Sequence, residues 1–288
     1  MKPVVWGVLS TAKIGRVHVI PAMLSSPLVE LRAIASRSLA SAQAAAQAAG
    51  IPQAYGSYEE LLADPAIEAI YNPLPNHLHV PLTLQAAAAG KHVLCEKPLA
   101  TALDDARWVV ERAAQSTAPF WTAMEYRYMP PMVEYVNQIH SGKVGRLQML
   151  SIREHRFPFL PKVGDWNRFN RNTGGTMVEK CCHFFDLMRL IVGSEAVRVY
   201  CSGAMDVNHK DERYNGETPD IIDNSYTVVD FANGVRAMLD LCMFADGAEQ
   251  QEEILATGDQ ARLDVLIPAG DIIHSPRVGF MNPKQPAR

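Results

Sequence analysis

Short apolar runs alternate with longer segments of helical period through the first part of the chain. VVWGVL (4–9) is expected to be a strand, followed by a helix from about Ile14. VELRAIAS (29–36) predicts a second strand and LASAQAAAQAAG (39–50) a helix that Gly50 ends. AYGSYEELLADPAIEAIYNPLPN then predicts a turn, a short helix starting near Ser57 and a strand at 67–72. HVPLTLQAAAAG is a helix stopped by Gly90, KHVLCEKP a strand ending in a charged turn, DDARWVVERAAQ a helix, and APFWTAMEY a strand. The pattern is that of βαβ units on a parallel sheet of roughly six strands by residue 125.

Beyond Pro130 the pattern changes. A helix over about 132–140 precedes RLQMLSIREHRF, whose alternation predicts an antiparallel strand. From residue 195 SEAVRVYCSGAMD, NSYTVVDFANGVRAMLDLCMF, QEEILATGDQARLDVLI and GDIIHS read as successive strands, with a hairpin at Asn233-Gly234. The expected fold class is α/β in two domains, with the boundary near residue 125. Residues 1–125 are expected to form a domain of βαβ units on a parallel sheet, and residues 126–288 an α/β domain whose open, largely antiparallel sheet carries helices on one face.

The turn after the first run, STAKIG (10–15), sits where the dinucleotide fingerprint G-x-G-x-x-G would lie, but with Ser10, Ala12 and Gly15 at the glycine places. Serine and alanine still let a phosphate approach the backbone, provided neither position demands positive φ. Read alone, the segment is also an ordinary strand-to-helix turn.

GKHVLCEKPLA puts Glu96 and Lys97 immediately beyond a parallel strand, the edge at which open α/β sheets bind ligands. Pro98 holds Lys97 extended, and a cis bond there would fix the direction of the lysine, which can polarise a hydroxyl or carbonyl oxygen; the alternative is a solvated surface turn. In GGTMVEKCCHFFDLMRLIVG, Glu179, His183 and Asp186 fall at 0°, about 40° and about −20° on a helix at 100° per residue. A polar stripe on so apolar a helix must be paired or must face a cleft. Metal ligation by Glu179 and His183 is a third reading, but no further cluster with zinc-like spacing accompanies it.

Where NAD-binding folds commonly carry an acidic residue after the second strand, LRAIASRS has Ser36 and Arg37. A hydroxyl beside a guanidinium suits a 2′-phosphate, so NADP(H) is favoured over NAD(H), with a surface charge as the other reading of Arg37. Composition narrows the partners. At 288 residues with a net charge of −4, there is no basic field for nucleic acid or an anionic membrane, and a small molecule is the expected partner. Five cysteines, two of them adjacent, argue against a disulfide framework, and no stretch reaches spanning length. The opening run, broken by Gly7 and Ser10, lacks a secretory pattern, so a cytoplasmic location is expected.

Taken together, these residues resemble the Gfo/Idh/MocA oxidoreductases, the group containing glucose-fructose oxidoreductase and inositol dehydrogenase, over nearly the whole chain. STAKIG resembles their nucleotide loop. LPNHLH (74–79) resembles a T-P-N-x-x-H turn, with Pro75, Asn76 and His79 matching. CEKPLA carries the E-K-P signature at Glu96, Lys97 and Pro98, and EKCCHFF aligns with D-x-G-x-H at Glu179 and His183. EYRYMPP resembles the segment linking the domains, where Arg127 and Tyr128 match.

The resemblance implies a Rossmann domain followed by an α/β domain whose sheet often mediates oligomerisation, so a homo-oligomer, dimer or tetramer, is expected. It also implies hydride exchange between a nicotinamide and a sugar, inositol or related polyol. Lys97 would polarise the reacting oxygen, and His183 would be the general acid/base, positioned with the substrate by Glu179 and Asp186. Lys97 and His183 are expected at one cleft between the domains. Ser10, Thr11, Ala12, Lys13, Ile14, Ser36, Arg37, Leu74, Pro75, Asn76, His79, Glu96 and Arg127 would bind the cofactor. Trp166, Asn167 and Arg168 would stand with Lys97, Glu179, His183 and Asp186 toward the substrate. The sequence departs from the family pattern at Ser10 and Ala12, as in some members that use NADP(H), at Glu179, one methylene longer than Asp, and at Cys181 in place of Gly. Relatives continue into helical sequence that covers the nucleotide domain, whereas this chain ends at NPKQPAR, an apparently shortened C-terminus. The competing reading is a catalytically idle dinucleotide-binding sensor or assembly subunit, against which the retention of both Lys97 and His183 argues.

Overall fold

A computed structural model describes residues 2–116 and 118–279, and NPKQPAR lies outside the described residues. The chain forms two compact units. One reaches to Ala123 and also takes in Arg171–Gly174; the other takes Met124–Asn170 and everything from Gly175.

In the first unit β1 (Val4–Leu9) leads through a π-helical turn (Gly15–Val19) into α1 (Ile20–Ser25). Pro21 cannot donate to Val17 and would crowd its carbonyl, and the wide turn just before it, closed by Ile20 N–H to the Gly15 carbonyl, accommodates the ring. There follow β2 (Val29–Ala35), α2 (Leu39–Ala49), β3 (Gln53–Tyr55), α3 (Tyr58–Ala63), β4 (Ala69–Asn72), α4 (His79–Ala88), β5 (His92–Cys95), α5 (Leu103–Gln115) and β6 (Phe120–Thr122). Local chemistry explains the boundaries. The hydroxyls of Ser38 and Ser57 accept from Ser41 N–H and Glu60 N–H at 3.3 and 3.1 Å, starting α2 and α3. Gly50 and Gly90 take the left-handed turns after α2 and α4, at φ 69° and 72°.

The six strands are parallel in the order β3-β2-β1-β4-β5-β6. The order reverses between β1 and β4, so the carboxyl ends of these two strands flank the switch point at which such sheets bind ligands. Covered on both faces, the central strands bury consecutive residues: Val8, Leu9, Ala33, Ile34, Ile70, Tyr71 and Cys95 have no more than 1% exposure. AYG, expected as a turn, instead supplies the end of β3, which pairs with β2 from Ala33↔Gln53 to Ala35↔Tyr55. Three residues are too few to display a period of two.

In the second unit a 3-10 turn (Glu125–Tyr128), where the APFWTAMEY run was expected to continue as strand, precedes α6 (Pro130–His140). After β7 (Leu147–His155) come a kinked 3-10 segment (Val163–Arg168) and α7 (Asn170–Thr173), most of which groups with the first unit. The second unit continues with α8 (Thr176–Glu179), α9 (Cys182–Val192), and β8 (Ala196–Ala204), β9 (Asn224–Phe231), β10 (Arg236–Cys242), β11 (Glu252–Gly258), β12 (Ala261–Ile267) and β13 (Ile272–Pro276). Its sheet runs β13-β12-β11-β7-β10-β9-β8. All pairs are antiparallel except β7 with β10, so the expected antiparallel β7 has one neighbour of each kind, β11 and β10. The long connection through α9 supplies the crossover that a parallel pair requires. One face packs Leu150, Ile152, Val229, Leu239, Ile254 and Leu263 against Tyr135 of α6 and Phe184, Leu187 and Met188 of α9. The other face leaves Met149, Tyr226, Val228 and Met238 exposed.

Candidate functional site

The turn after β1 has a feature that residue size alone did not reveal. Ser10 adopts φ 79°, contrary to the proviso that neither small residue need take positive φ. Its N–H donates to the Ala35 carbonyl at 2.8 Å, which fixes the strand end, and its hydroxyl accepts from Ala12 N–H at 3.2 Å. The side chain thus offsets part of the cost of a conformation that glycine adopts freely. Gly15 is buried with an ordinary φ, and a Cβ there would lie 3.5 Å from the Tyr71 ring, so a glycine is not sterically obligatory at the third place. Lys13 and Ile14 open the helical segment, and their N–H groups, with that of Thr11 ahead of them, lie where a helix has no intrahelical acceptors to offer. Those donors suit a pyrophosphate, so this end of the sheet fits a dinucleotide. In the turn after β2 the Ser36 hydroxyl accepts from Ser38 N–H at 3.4 Å. Exposed Arg37 stands by the Tyr58 hydroxyl, where burial pushes the phenol up and the guanidinium pulls it down.

The ends of β4 and β5 are knitted together. Glu96 N–H donates to the Asn72 carbonyl at 3.0 Å, while the Glu96 carboxylate accepts from the Tyr71 hydroxyl at 2.7 Å and from Lys97 N–H at 3.3 Å. Asn72 is fully buried; its amide donates to the Thr83 hydroxyl and the His79 carbonyl and accepts from Leu74 N–H. His79 is buried to 1%, with Nδ1 2.6 Å from the Pro98 carbonyl and Nε2 2.7 Å from the Leu74 carbonyl. Two carbonyls call for two N–H donors, but burial is the larger influence and holds the imidazole below its ordinary pKa. With both nitrogens occupied, His79 positions the Leu74-Pro75-Asn76 turn against the turn carrying Lys97 rather than contacting a ligand itself. Asn76 is buried, Lys97 is half-buried, and Lys97-Pro98 is cis. Burial pushes the thiol of Cys95, at the end of β5, up to about 12, so it is a packing group.

In the second unit the expected single helix is two. α8 ends at Glu179, and a turn at Lys180–Cys181 precedes α9, so Glu179, His183 and Asp186 do not form one straight stripe. Burial of the Lys180 ammonium and the Cys181 thiol, at 7% and 0% exposure, accompanies the turn. Glu179 and His183 are buried at 8% and 2%. Asp186, expected toward the substrate, is held by Arg127, expected at the cofactor: two 2.6 Å contacts make a bidentate pair. His183 Nε2 lies 3.4 Å from the carboxylate of Glu125, and its ring packs at 4.7 Å on Tyr126. Trp166 is half-buried. Arg168 points inward with 2% exposure, donating to Glu212 at 3.2 Å and to the Phe159 carbonyl at 3.1 Å, and Asn167 donates to the Leu160 carbonyl at 3.0 Å. Asn167 and Arg168 thus anchor the 163–168 segment. Among the described residues no group of three or more His, Cys, Asp or Glu side chains is arranged to hold a metal ion. Nor is any described helix long and apolar enough to cross a membrane.

Residues 4–124 match the sequence profile of the Gfo/Idh/MocA oxidoreductase family, NAD-binding Rossmann fold, and residues 136–285 match that of its C-terminal alpha/beta domain. The chain belongs to the Gfo/Idh/MocA family. It is 45% identical over 145 residues to an uncharacterized oxidoreductase of Rhizobium meliloti, covering 50% of this chain and 43% of that one. It is 38% identical over 199 residues to a D-xylose 1-dehydrogenase (NADP(+)) of Haloferax volcanii, covering 68% of this chain and 59% of that one. The matched stretch is thus about half the length of these curated relatives. Among solved structures, a levoglucosan dehydrogenase in complex with NADH superposes with a TM-score of 0.87 at 21% identity, over 99% of this chain and 79% of that one, a likeness of fold.

Within this Gfo/Idh/MocA framework, sequence reading passed over Tyr71, Asn72, Glu125, Tyr126 and Lys180. A polar Asn closing an otherwise apolar strand was a legible signal for Asn72. Lys180, inside an apolar helical run beside Glu179, was another. The part Tyr126 plays depends on a partner far along the chain, Glu252, and carried no local signal.

Proposed function

We propose that the protein is an NADP(H)-dependent oxidoreductase that moves a hydride between the nicotinamide and a CH–OH carbon of a sugar, inositol or related polyol. The observation that carries this reading is the placement of Lys97 in the turn that closes β5, beside a dinucleotide-type switch point and braced by Glu96, Tyr71 and His79. The H. volcanii relative is named a D-xylose 1-dehydrogenase that uses NADP(+), which supports a sugar and this cofactor.

The bound cofactor would supply the hydride acceptor. The N–H groups of Thr11, Lys13 and Ile14 would hold its pyrophosphate, with Ser10 and Ala12 shaping the turn, and Ser36 with Arg37 its 2′-phosphate. In the oxidative direction the substrate hydroxyl loses its proton to His183 as the carbon gives up hydride, and the Lys97 ammonium stabilises the oxyanion that develops. Glu179 lies one turn before His183 and would orient the substrate or the ring, while Asp186 acts through Arg127. The Glu125 carboxylate beside His183 suits passage of the proton to solvent. Self-association would use the outer face of the second sheet, where exposed Tyr200, Val228 and Met238 form one cross-strand row, as would suit a homodimer or tetramer.

Fluorescence titration with NADPH and NADH tests the cofactor reading. NADPH binds more tightly, and Arg37→Ala weakens NADPH by about 1.5–3 kcal/mol, the worth of a charge-assisted contact, while leaving NADH nearly unchanged. Equal losses for the two cofactors contradict it.

A further inference from the structure

The alternation that builds the second sheet sends two glutamates where aliphatic residues belong. The helix-covered face of β7 presents Leu150, Ile152 and Glu154, and that of β11 presents Glu252, Ile254 and Ala256. Glu252 lies directly opposite Glu154 in the antiparallel register, and the two are exposed by only 3% and 0%. Like charges facing across strands repel, and burial makes the repulsion stronger. Lys180, from the turn between α8 and α9, brings Nζ to 3.0 Å from Glu154 and 3.7 Å from Glu252, and Arg156 reaches Glu154 at 3.2 Å. The Tyr126 hydroxyl donates to Glu252, and the same ring packs at 4.7 Å on His183. The second oxygens of both glutamates are buried without a partner. A proton on one carboxyl turns an acceptor into a donor and satisfies both.

We propose that Glu154 and Glu252 share one proton in the core of the second unit, clamped by Lys180, and that this set positions His183 through Tyr126. The catalytic part of this statement rests on the role given to His183 above; the proton sharing does not. With the proton in place, the two glutamates, Lys180 and Arg156 carry more positive than negative charge; without it they balance, and the Tyr126 hydroxyl faces a full carboxylate. The Cys181 thiol, which faces the set from the helix layer, is pushed up by burial and stays neutral. Burial first and Glu154 second raise the Glu252 carboxyl to about 7. A carboxylate formed behind Tyr126 favours the protonated ring of His183, so the two titrations are linked.

Two measurements on the full chain, with neither substrate nor cofactor, test the proposal. The first is thermal stability against pH for the wild type and Glu252→Gln. A raised folded pKa stabilises below the unfolded value of 4.5, and that stability is lost as pH rises to about 7. The wild type should therefore fall relative to the glutamine variant across that window; parallel curves overturn the sharing. The second is the His183 ring titration by NMR, assigned through His183→Gln among the nine histidines. Its midpoint should drop by roughly half a pH unit or more in Glu252→Gln, and Tyr126→Phe, which keeps the ring but loses the donor, should uncouple the two groups. A purely structural role would move the melting curves and leave the His183 titration unchanged, which overturns the positioning. If Glu252→Gln does not fold, infrared difference spectra of the wild type must show a protonated-carboxyl band that disappears above neutral pH, and its absence overturns the proposal. An inactive enzyme with linked titrations would count against the proposed reaction and not against this set.

Discussion

Ser10 shows how one side chain can replace a glycine. A left-handed backbone costs a residue with a Cβ about 1 kcal/mol, and the hydroxyl bond to Ala12 N–H returns part of it. Ser10→Ala keeps the strain and loses the bond, whereas Ser10→Gly loses both. Urea denaturation should therefore find the glycine variant more stable than the alanine variant by about 1 kcal/mol. An alanine variant as stable as the glycine one would mean that the turn relaxes out of positive φ. His79 teaches a related lesson: the motif was legible in LPNHLH, but its work, joining two carbonyls 24 residues apart at Leu74 and Pro98, depends on the fold.

At the scale of elements, the sequence was informative wherever a local rule decided the outcome. Gly50 and Gly90 marked helix ends because only the local backbone was at stake, and the segments read as successive strands from residue 195 form β8 to β13. Alternation does not choose a strand's neighbours, so the parallel pairing of β7 with β10 was hidden. The break between α8 and α9 was hidden for a similar reason: Lys180 turns toward carboxylates on β7 and β11 that local periodicity cannot know. Close approach of backbones is equally non-local. At Gly258, on the irregular end of β11, a Cβ would lie 2.0 Å from the Val144 carbonyl oxygen, which also accepts from Gln260 and Ala261 N–H and cannot easily retreat. Gly258→Ala should destabilise by about 1–3 kcal/mol in thermal or denaturant unfolding, the usual cost of overpacking. Gly247→Ala, with open space around its Cβ position, should be nearly neutral in the same assay. Equal effects of the two substitutions would contradict the packing account.

For the whole molecule, the two compact units match the two parts of one oxidoreductase family, and each carries one of the groups on which the proposed chemistry depends. Lys97 belongs to the first and His183 to the second. The sequence singles both out through short local motifs, E-K-P and the histidine segment, although the helix expected around His183 is interrupted after Glu179. Their supports Tyr71, Tyr126 and Glu252 carried no such local signal, because each acts across the fold. The central claim is that Lys97 stabilises an oxyanion during hydride transfer. Its most direct test is the initial rate of NADP(+) reduction over a panel of sugars and inositols, compared between wild type and Lys97→Met, with NADPH affinity measured on both. At least one polyol should be oxidised by the wild type, and Lys97→Met should slow it by roughly two or more orders of magnitude while affinity for NADPH changes little. Tight NADPH binding with no turnover on any substrate, or turnover that Lys97→Met leaves intact, would contradict the account.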